Sequence, residues 1–257
     1  MAFDRSARPV SARKPTVKKI APAGALPDRI DRVPEFAGVE FVKSVVDIEG
    51  LPPITGGEIA FAGRSNSGKS SSINKLAGQT RLAYASKMPG RTRELNFFTL
   101  RGGGYLVDLP GYGFARTPRD KQRVWSGVID QYFRERECIA GVVLLMDVRH
   151  APVELDLQFV DWLNGLADTR PPLLWVLNKT DKLTQSERMK AKNAFVKEVG
   201  AYMRPDDTIV LFSAHTGLGM KECAAVIQTW LGKPVVMPGY IDPAGGSAPA
   251  TSAELNE

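Results

Sequence analysis

The 257-residue chain holds two cysteines, two histidines and no apolar run of the ~18–20 residues a membrane-spanning helix needs. Cys138 and Cys223 form no spacing pattern, so a disulfide framework is not expected, and both read as reduced core thiols of a cytosolic protein. His150 and His215 are too far apart to suggest a metal cluster. A signal-peptide apolar segment is absent near the start, and there is no internal repeat. Acidic side chains are scarce in residues 1–32, where eight basic residues (Arg5, Arg8, Arg13, Lys14, Lys18, Lys19, Arg29, Arg32) meet only Asp4, Asp28 and Asp31. The net charge is +6, so the arm carries most of it. Residues 1–35 have no helical or strand periodicity and read as a disordered basic arm. A mitochondrial transit peptide is the competing reading, against which Pro9 and Pro15 would break the amphipathic helix it needs. Residues 236–257 read as a flexible tail.

What is present lies between. Hydrophobic residues make up 43% of the chain, enough for a sizeable core. Strands are expected at 40–45, 58–62, 96–101, 105–108, 139–147, 173–178 and 208–212. Helices are expected at 69–78, 119–137, 152–167, 185–203 and 220–231. The run from Ile139 to Met146 is continuously apolar, as in a strand covered on both faces. Gly102–Gly104 reads as a hairpin turn. Thr184 and Glu187 form a capping box before the fourth helix, and Leu157, Val160 and Leu163 give the third a core stripe. Strands alternating with helices predict a three-layer α/β domain over residues 36–235, its sheet mostly parallel with one antiparallel hairpin strand. Ligands of such sheets bind at the carboxyl ends of the strands.

Four motifs sit at those ends. Gly63-Arg64-Ser65-Asn66-Ser67-Gly68-Lys69-Ser70 has the spacing of a phosphate-binding loop directly after an apolar strand. Its backbone N–H groups can cradle phosphate oxygens, with Lys69 on the β- and γ-phosphates and the Ser70 hydroxyl on Mg²⁺. Asp108-Leu109-Pro110-Gly111 offers a carboxylate for the same metal and a Gly111 N–H for the γ-phosphate. Asn178-Lys179-Thr180-Asp181 suits guanine: the Asp181 carboxylate can accept from N1–H and the 2-amine, donors that adenine lacks. Phe212-Ser213-Ala214 ends the last strand, where the Ala214 N–H can donate to guanine O6. Thr92, in a Gly- and Pro-bearing loop, can complete the metal shell when GTP is bound. The catalytic set expected is Lys69, Thr92, Gly111 and Asn66, and the metal set Ser70, Thr92 and Asp108. An ATPase of the same loop class is disfavoured by Asp181. An RNA-binding protein with a degenerate nucleotide site is disfavoured by the intact Lys69, Ser70, Thr92 and Asp108.

The segments 58–76 (EIAFAGRSNSGKSSSINKL), 89–98 (PGRTRELNFF) and 106–114 (LVDLPGYGF) resemble the EngB family of ribosome-biogenesis GTPases, of the group that includes Era, EngA and MnmE. The resemblance spans about residues 36–231. Met88 stands where the family usually has Thr, and Asn178 where it often has Thr. The resemblance implies slow Mg²⁺-dependent GTP hydrolysis to GDP in the bacterial cytoplasm. It implies a switch role in assembly of the large ribosomal subunit, with a family link to cell division and septation. It brings Gly90, Arg91, Thr92, Arg93 and Glu94 to the nucleotide, and Asn66 matches the residue that holds K⁺ in MnmE-like relatives. Tyr112 occupies the place where many related switches carry a water-orienting Gln, so weak intrinsic hydrolysis is expected. Lys87, Arg91 and Arg93, with Tyr112, Phe114, Arg116 and Arg119, read as exposed basic and aromatic side chains, available to ribosomal RNA, with a plain solvated surface as the alternative reading. DNA and membrane partners are not expected, and the chain is expected to be a monomer.

Overall fold

The computed structural model describes residues 32–83, 94–112, 127–166 and 170–232. Seven strands form one sheet: β1 (Phe41–Val45), β2 (Glu58–Gly63), β3 (Leu95–Thr99), β4 (Tyr105–Asp108), β5 (Ile139–Asp147), β6 (Leu173–Asn178) and β7 (Thr208–Leu211). Their spatial order is β1-β3-β4-β2-β5-β6-β7. β3 pairs antiparallel with β1 and β4, and every other pairing is parallel. Among the described residues the single hairpin is therefore the β3–β4 turn at Gly102–Gly104, as its glycines lead one to expect. From the central β2 the chain runs by way of β3 and β4 to one side and then returns to β5 on the other. That reversal creates a crevice at the carboxyl ends of the strands.

The continuous apolar runs are explained by a sheet buried on both faces. On β5, Val142, Leu144 and Met146 enter one core and Val143 and Leu145 the other; β6 divides in the same way. The first core is closed by α2 (Val128–Glu135), α3 (Glu154–Asn164) and α4 (Gln185–Val199), the second by α1 (Lys69–Ala77) and α5 (Met220–Leu231). β1 is an edge strand with mostly exposed side chains, and a register shift between Phe41 and Lys43 blunts that edge against pairing with another chain.

Some expected elements come out shorter. α3 starts at Glu154 because Asp156 turns back to accept from Val153 N (3.0 Å), and it ends at Gly165. Its core stripe is Phe159, Val160 and Leu163, with Leu157 only partly buried. α4 begins with the expected capping box: Glu187 accepts from Thr184 N (2.8 Å), and Thr184 Oγ1 accepts weakly from Glu187 N (3.4 Å). It ends at Gly200 rather than continuing to Met203. The helix expected from Arg119 lies outside the described residues before Gly127. At the other end, Val33, placed by composition in the arm, is fully buried and donates to Leu76 O (2.6 Å). Pro34–Phe36 forms a 3-10 turn whose Phe36 packs edge-on against Phe61 (6.1 Å between centroids). Residues 1–31 and 233–257 lie outside the described residues.

Candidate active site

β2 delivers the chain to the carboxyl edge, and Arg64–Ser67 turns there before α1 begins at Lys69. Two residues of this region take left-handed backbone conformations, Asn66 (φ 67°) and Gly68 (φ 92°). Gly68 is required twice over, because a Cβ there would lie 2.3 Å from Asn178 Nδ2. The Lys69 ammonium pairs with the Asp108 carboxylate at the end of β4, and Ser70 follows in the first turn of α1. Ser67 Oγ is buried without a hydrogen-bond partner among the described residues.

The Asn178–Asp181 segment binds this loop from the side. Asn178 Nδ2 donates to Ser67 O (3.0 Å) and Ser72 Oγ (3.2 Å), while its Oδ1 accepts from Lys179 N (2.7 Å). Lys179, itself left-handed (φ 66°), donates through Nζ to Asn66 O (2.6 Å). Thr180 donates to Phe212 O (2.8 Å). Ser213 Oγ donates to Asp181 Oδ1 (2.8 Å), and this bond holds the carboxyl below its ordinary range, against the opposing effect of burial. Ala214 N reaches Asn178 Oδ1 at 3.4 Å. The three distant motifs thus meet at one edge of the sheet.

Other expected residues fall differently. Gly90, Arg91, Thr92 and Arg93 lie outside the described residues, as do Lys87, Met88, Phe114, Arg116 and Arg119; Glu94 is half-buried just before β3. Leu109, Thr180 and Phe212 bury their side chains, so only their main chains face the edge. Pro110 is half-buried and Gly111 exposed. Tyr112 corrects the sequence reading: it is 3% exposed, and its hydroxyl donates to Asp156 Oδ1 (2.9 Å) instead of facing solvent. An aromatic ring stacked on Phe159 is more stable there than in water.

Two carboxylates were missed. Asp147 ends β5 and accepts from Arg149 Nε (2.8 Å) and Nη2 (2.6 Å) and from Lys179 Nζ (2.9 Å). Burial raises its pKa, but the Arg149 and Lys179 donors outweigh burial and hold it well below the carboxylate range. Its position was the signal: like Asp108 and Asn178, it is the polar last residue of an apolar strand. Asp156, the other, has no comparable local signal. Both line a cavity of about 240 Å³ between the phosphate loop and the β5–α3 connection, together with Arg64, Asn66, Arg149 and His150. Ser65, Ser67 and Lys179 line it as well, so this cavity opens along the phosphate loop itself.

A doubly wound sheet with a glycine-bounded phosphate loop and a guanine-type Asn-Lys-Thr-Asp segment at adjoining strand ends defines a P-loop GTPase. The profile of the 50S ribosome-binding GTPase family matches residues 58–179. A probable GTP-binding protein EngB of Azoarcus sp. (strain BH72) is 45% identical over 199 residues, covering 77% of this chain and 94% of that protein. Another from Photobacterium profundum is 43% identical, covering 77% and 83%. The chain belongs to the EngB family of GTP-binding proteins. Among solved structures, a probable GTP-binding protein engB shares the fold with a TM-score of 0.50 and 23% identity, over 68% of this chain and 98% of that one. Era in complex with MgGDPNP and nucleotides 1506–1542 of 16S ribosomal RNA does so at 0.52 and 20%, over 74% and 61%. No helix among the described residues is long and apolar enough to cross a membrane.

Proposed function

We propose that this protein is a GTP-operated switch that hydrolyses GTP slowly and acts, as a monomer in the bacterial cytoplasm, on the large ribosomal subunit or its precursor. The observation that carries the guanine part is Asp181, held ionised by Ser213 at the edge where Lys179 grips the phosphate loop. A carboxylate so placed accepts from guanine N1–H and the 2-amine, and against adenine it would be left unpaired. The Ala214 N–H donates to O6. The N–H groups of the 63–70 loop and the start of α1 receive the phosphates, with Lys69 on the β- and γ-oxygens.

Mg²⁺ fits the residues present. Ser70 and Asp108 flank Lys69 and offer only oxygen, the donor a hard cation prefers. When bound, the ion would neutralise phosphate charge; Thr92 would join it in the GTP state. Asp108 already attracts Lys69, so phosphates entering the loop compete with that carboxylate for the ammonium. Gly111 offers its N–H to the γ-phosphate. Hydrolysis is slow because Tyr112, in the place a water-orienting side chain would occupy, points at Asp156. Asn66 would hold K⁺ beside the phosphates and supply part of the missing positive charge. The family link to cell division is carried over as part of the same reading.

The partner is tested by co-sedimentation. The protein should travel with large-subunit particles in a non-hydrolysable GTP analogue and less so in GDP, because a ligand shifts states only through differential contacts. Removing residues 1–32, with their excess of basic side chains, should weaken binding and flatten its salt dependence. Sedimentation that is absent at low salt, or indifferent to the nucleotide, would leave a GTPase acting elsewhere.

A further inference from the structure

Immediately after Gly111 the chain is held by main-chain contacts to the phosphate loop. Tyr112 N donates to Gly63 O (3.4 Å), and Ser65 N donates to Tyr112 O (2.9 Å). Residue 112 therefore pairs in parallel with Arg64, continuing the β2–β4 ladder onto the phosphate loop itself. The approach is close: a Cβ on Gly111 would lie 3.0 Å from Ser65 Oγ. Main-chain pairing this short is weak alone, and the side-chain hydroxyl is what fixes it in place. The Tyr112 ring stacks on Phe159 (5.6 Å between centroids, 30° between planes). Its hydroxyl reaches Asp156, which is 4% exposed. Asp156 is fixed in turn by Val153 N at the start of α3 (3.0 Å), with Arg64 Nη1 at 4.0 Å. One buried hydroxyl thus ties three things together: the segment after Asp108–Gly111, the phosphate loop and the first turn of α3.

We propose that Tyr112, through its hydroxyl on Asp156, is a positioning residue that raises the affinity for GTP relative to that for GDP. This rests on the reading of Gly111 as the γ-phosphate contact. The link holds the Gly111–Tyr112 main chain against Gly63–Ser65 and so presents the Gly111 N–H before nucleotide arrives. GTP gains from that presentation because only GTP has a group to meet the N–H. GDP does not reach it and is indifferent to the link. A group that is pre-placed does not have to be ordered on binding, which is where the affinity for GTP is gained.

Tyr112→Phe keeps the ring and removes only the hydroxyl. Mant-nucleotide titrations should show the variant binding a non-hydrolysable GTP analogue about tenfold more weakly, the equivalent of one hydrogen bond to a charged acceptor. GDP affinity should change less than about twofold on the same scale. Phe159→Leu loses the stacked ring but leaves the hydroxyl and Asp156 in place. It should lower the melting temperature and leave the GTP-to-GDP ratio unchanged. An unchanged ratio in Tyr112→Phe, or equal loss of both nucleotides, would overturn the proposal. So would a ratio that falls with stability in Phe159→Leu. Gly111→Pro, which lacks the N–H, binding the analogue as tightly as the wild type would instead overturn the Gly111 contact beneath it.

Discussion

The two ends of the sheet handle polar side chains in opposite ways. At the amino ends of the strands, charges are buried and engaged with the fold. Arg170 and Asp207 are fully buried and paired twice (2.5 and 2.9 Å), and Asp207 also accepts from Leu173 N and Arg204 N (3.0 Å each). Glu58 is fully buried and takes Arg136 (2.6 and 3.0 Å) and the Tyr132 hydroxyl (2.8 Å). At the carboxyl ends, the charged groups are engaged by loops and by one another: Lys69 with Asp108, and Lys179 with Asp147 and Asn66 O. Two non-glycine residues there, Asn66 and Lys179, hold left-handed conformations, and Ser67 Oγ has no partner among the described residues. The contrast separates groups that secure the strands from groups that join loops, the ones proposed above to meet the nucleotide. Backbone strain of this kind, of order 1–3 kcal/mol per residue, persists only where the surroundings impose it, and it collects at functional sites.

The comparison breaks most clearly at the amino end. Arg170→Ala would leave Asp207 charged and buried, which should cost about 3–5 kcal/mol in a denaturant titration. The GDP affinity of the folded protein should stay within about twofold. A variant that kept its stability but lost GDP would refute the division between the two ends.

The next largest effect belongs to the carboxyl end. Asp181→Asn should weaken GTP binding by about 100-fold and turn preference toward xanthine nucleotides, because an amide can donate to the 2-oxo group. Stability should move by less than about 0.5 kcal/mol, since Asp181 lies outside the core. Calorimetric titration with GTP, XTP and ATP settles it; equal affinity of the wild type for ATP and GTP would contradict the role given to Asp181.

The smallest effect sharpens the comparison within the carboxyl end. GTP turnover should be severalfold faster in K⁺ than in Na⁺, and Asn66→Ala should abolish the difference. Phosphate-release rates that are equal in the two salts would remove potassium from the mechanism and leave Asn66 as a loop residue only.

Most of the fold could be read from the sequence because its signals are local. The phosphate loop announces itself by glycine spacing after an apolar strand, and the cap of α4 by Thr184 and Glu187. Features created by distant contacts could not be read this way. Tyr112 stands in a glycine- and proline-bearing loop with no periodic pattern, and its hydroxyl partner, Asp156, is 44 positions away. Val33–Phe36 has the composition of the arm before it, yet it is fixed by α1, by Phe61 and by Gln228 Nε2 on Glu35 (2.9 Å). Asp147 showed a usable sign, the polar end of an apolar strand, but the residues that engage it, Arg149 and Lys179, come later in the chain.

The two thiols matter to anyone who wishes to follow nucleotide binding to this protein. Both are buried: Cys138 is pushed up to about 12 by burial and by the Glu58 charge, and Cys223 is raised by burial among α5 and the sheet. A thiol reacts as thiolate, so at neutral pH neither offers a nucleophile to a maleimide dye. The natural protein is therefore a ready background for site-specific fluorescence. A single cysteine placed on exposed Lys182, beside Asp181, would carry the dye alone. Its signal would follow the Asp181 edge of the sheet without first removing either native sulfur from the core.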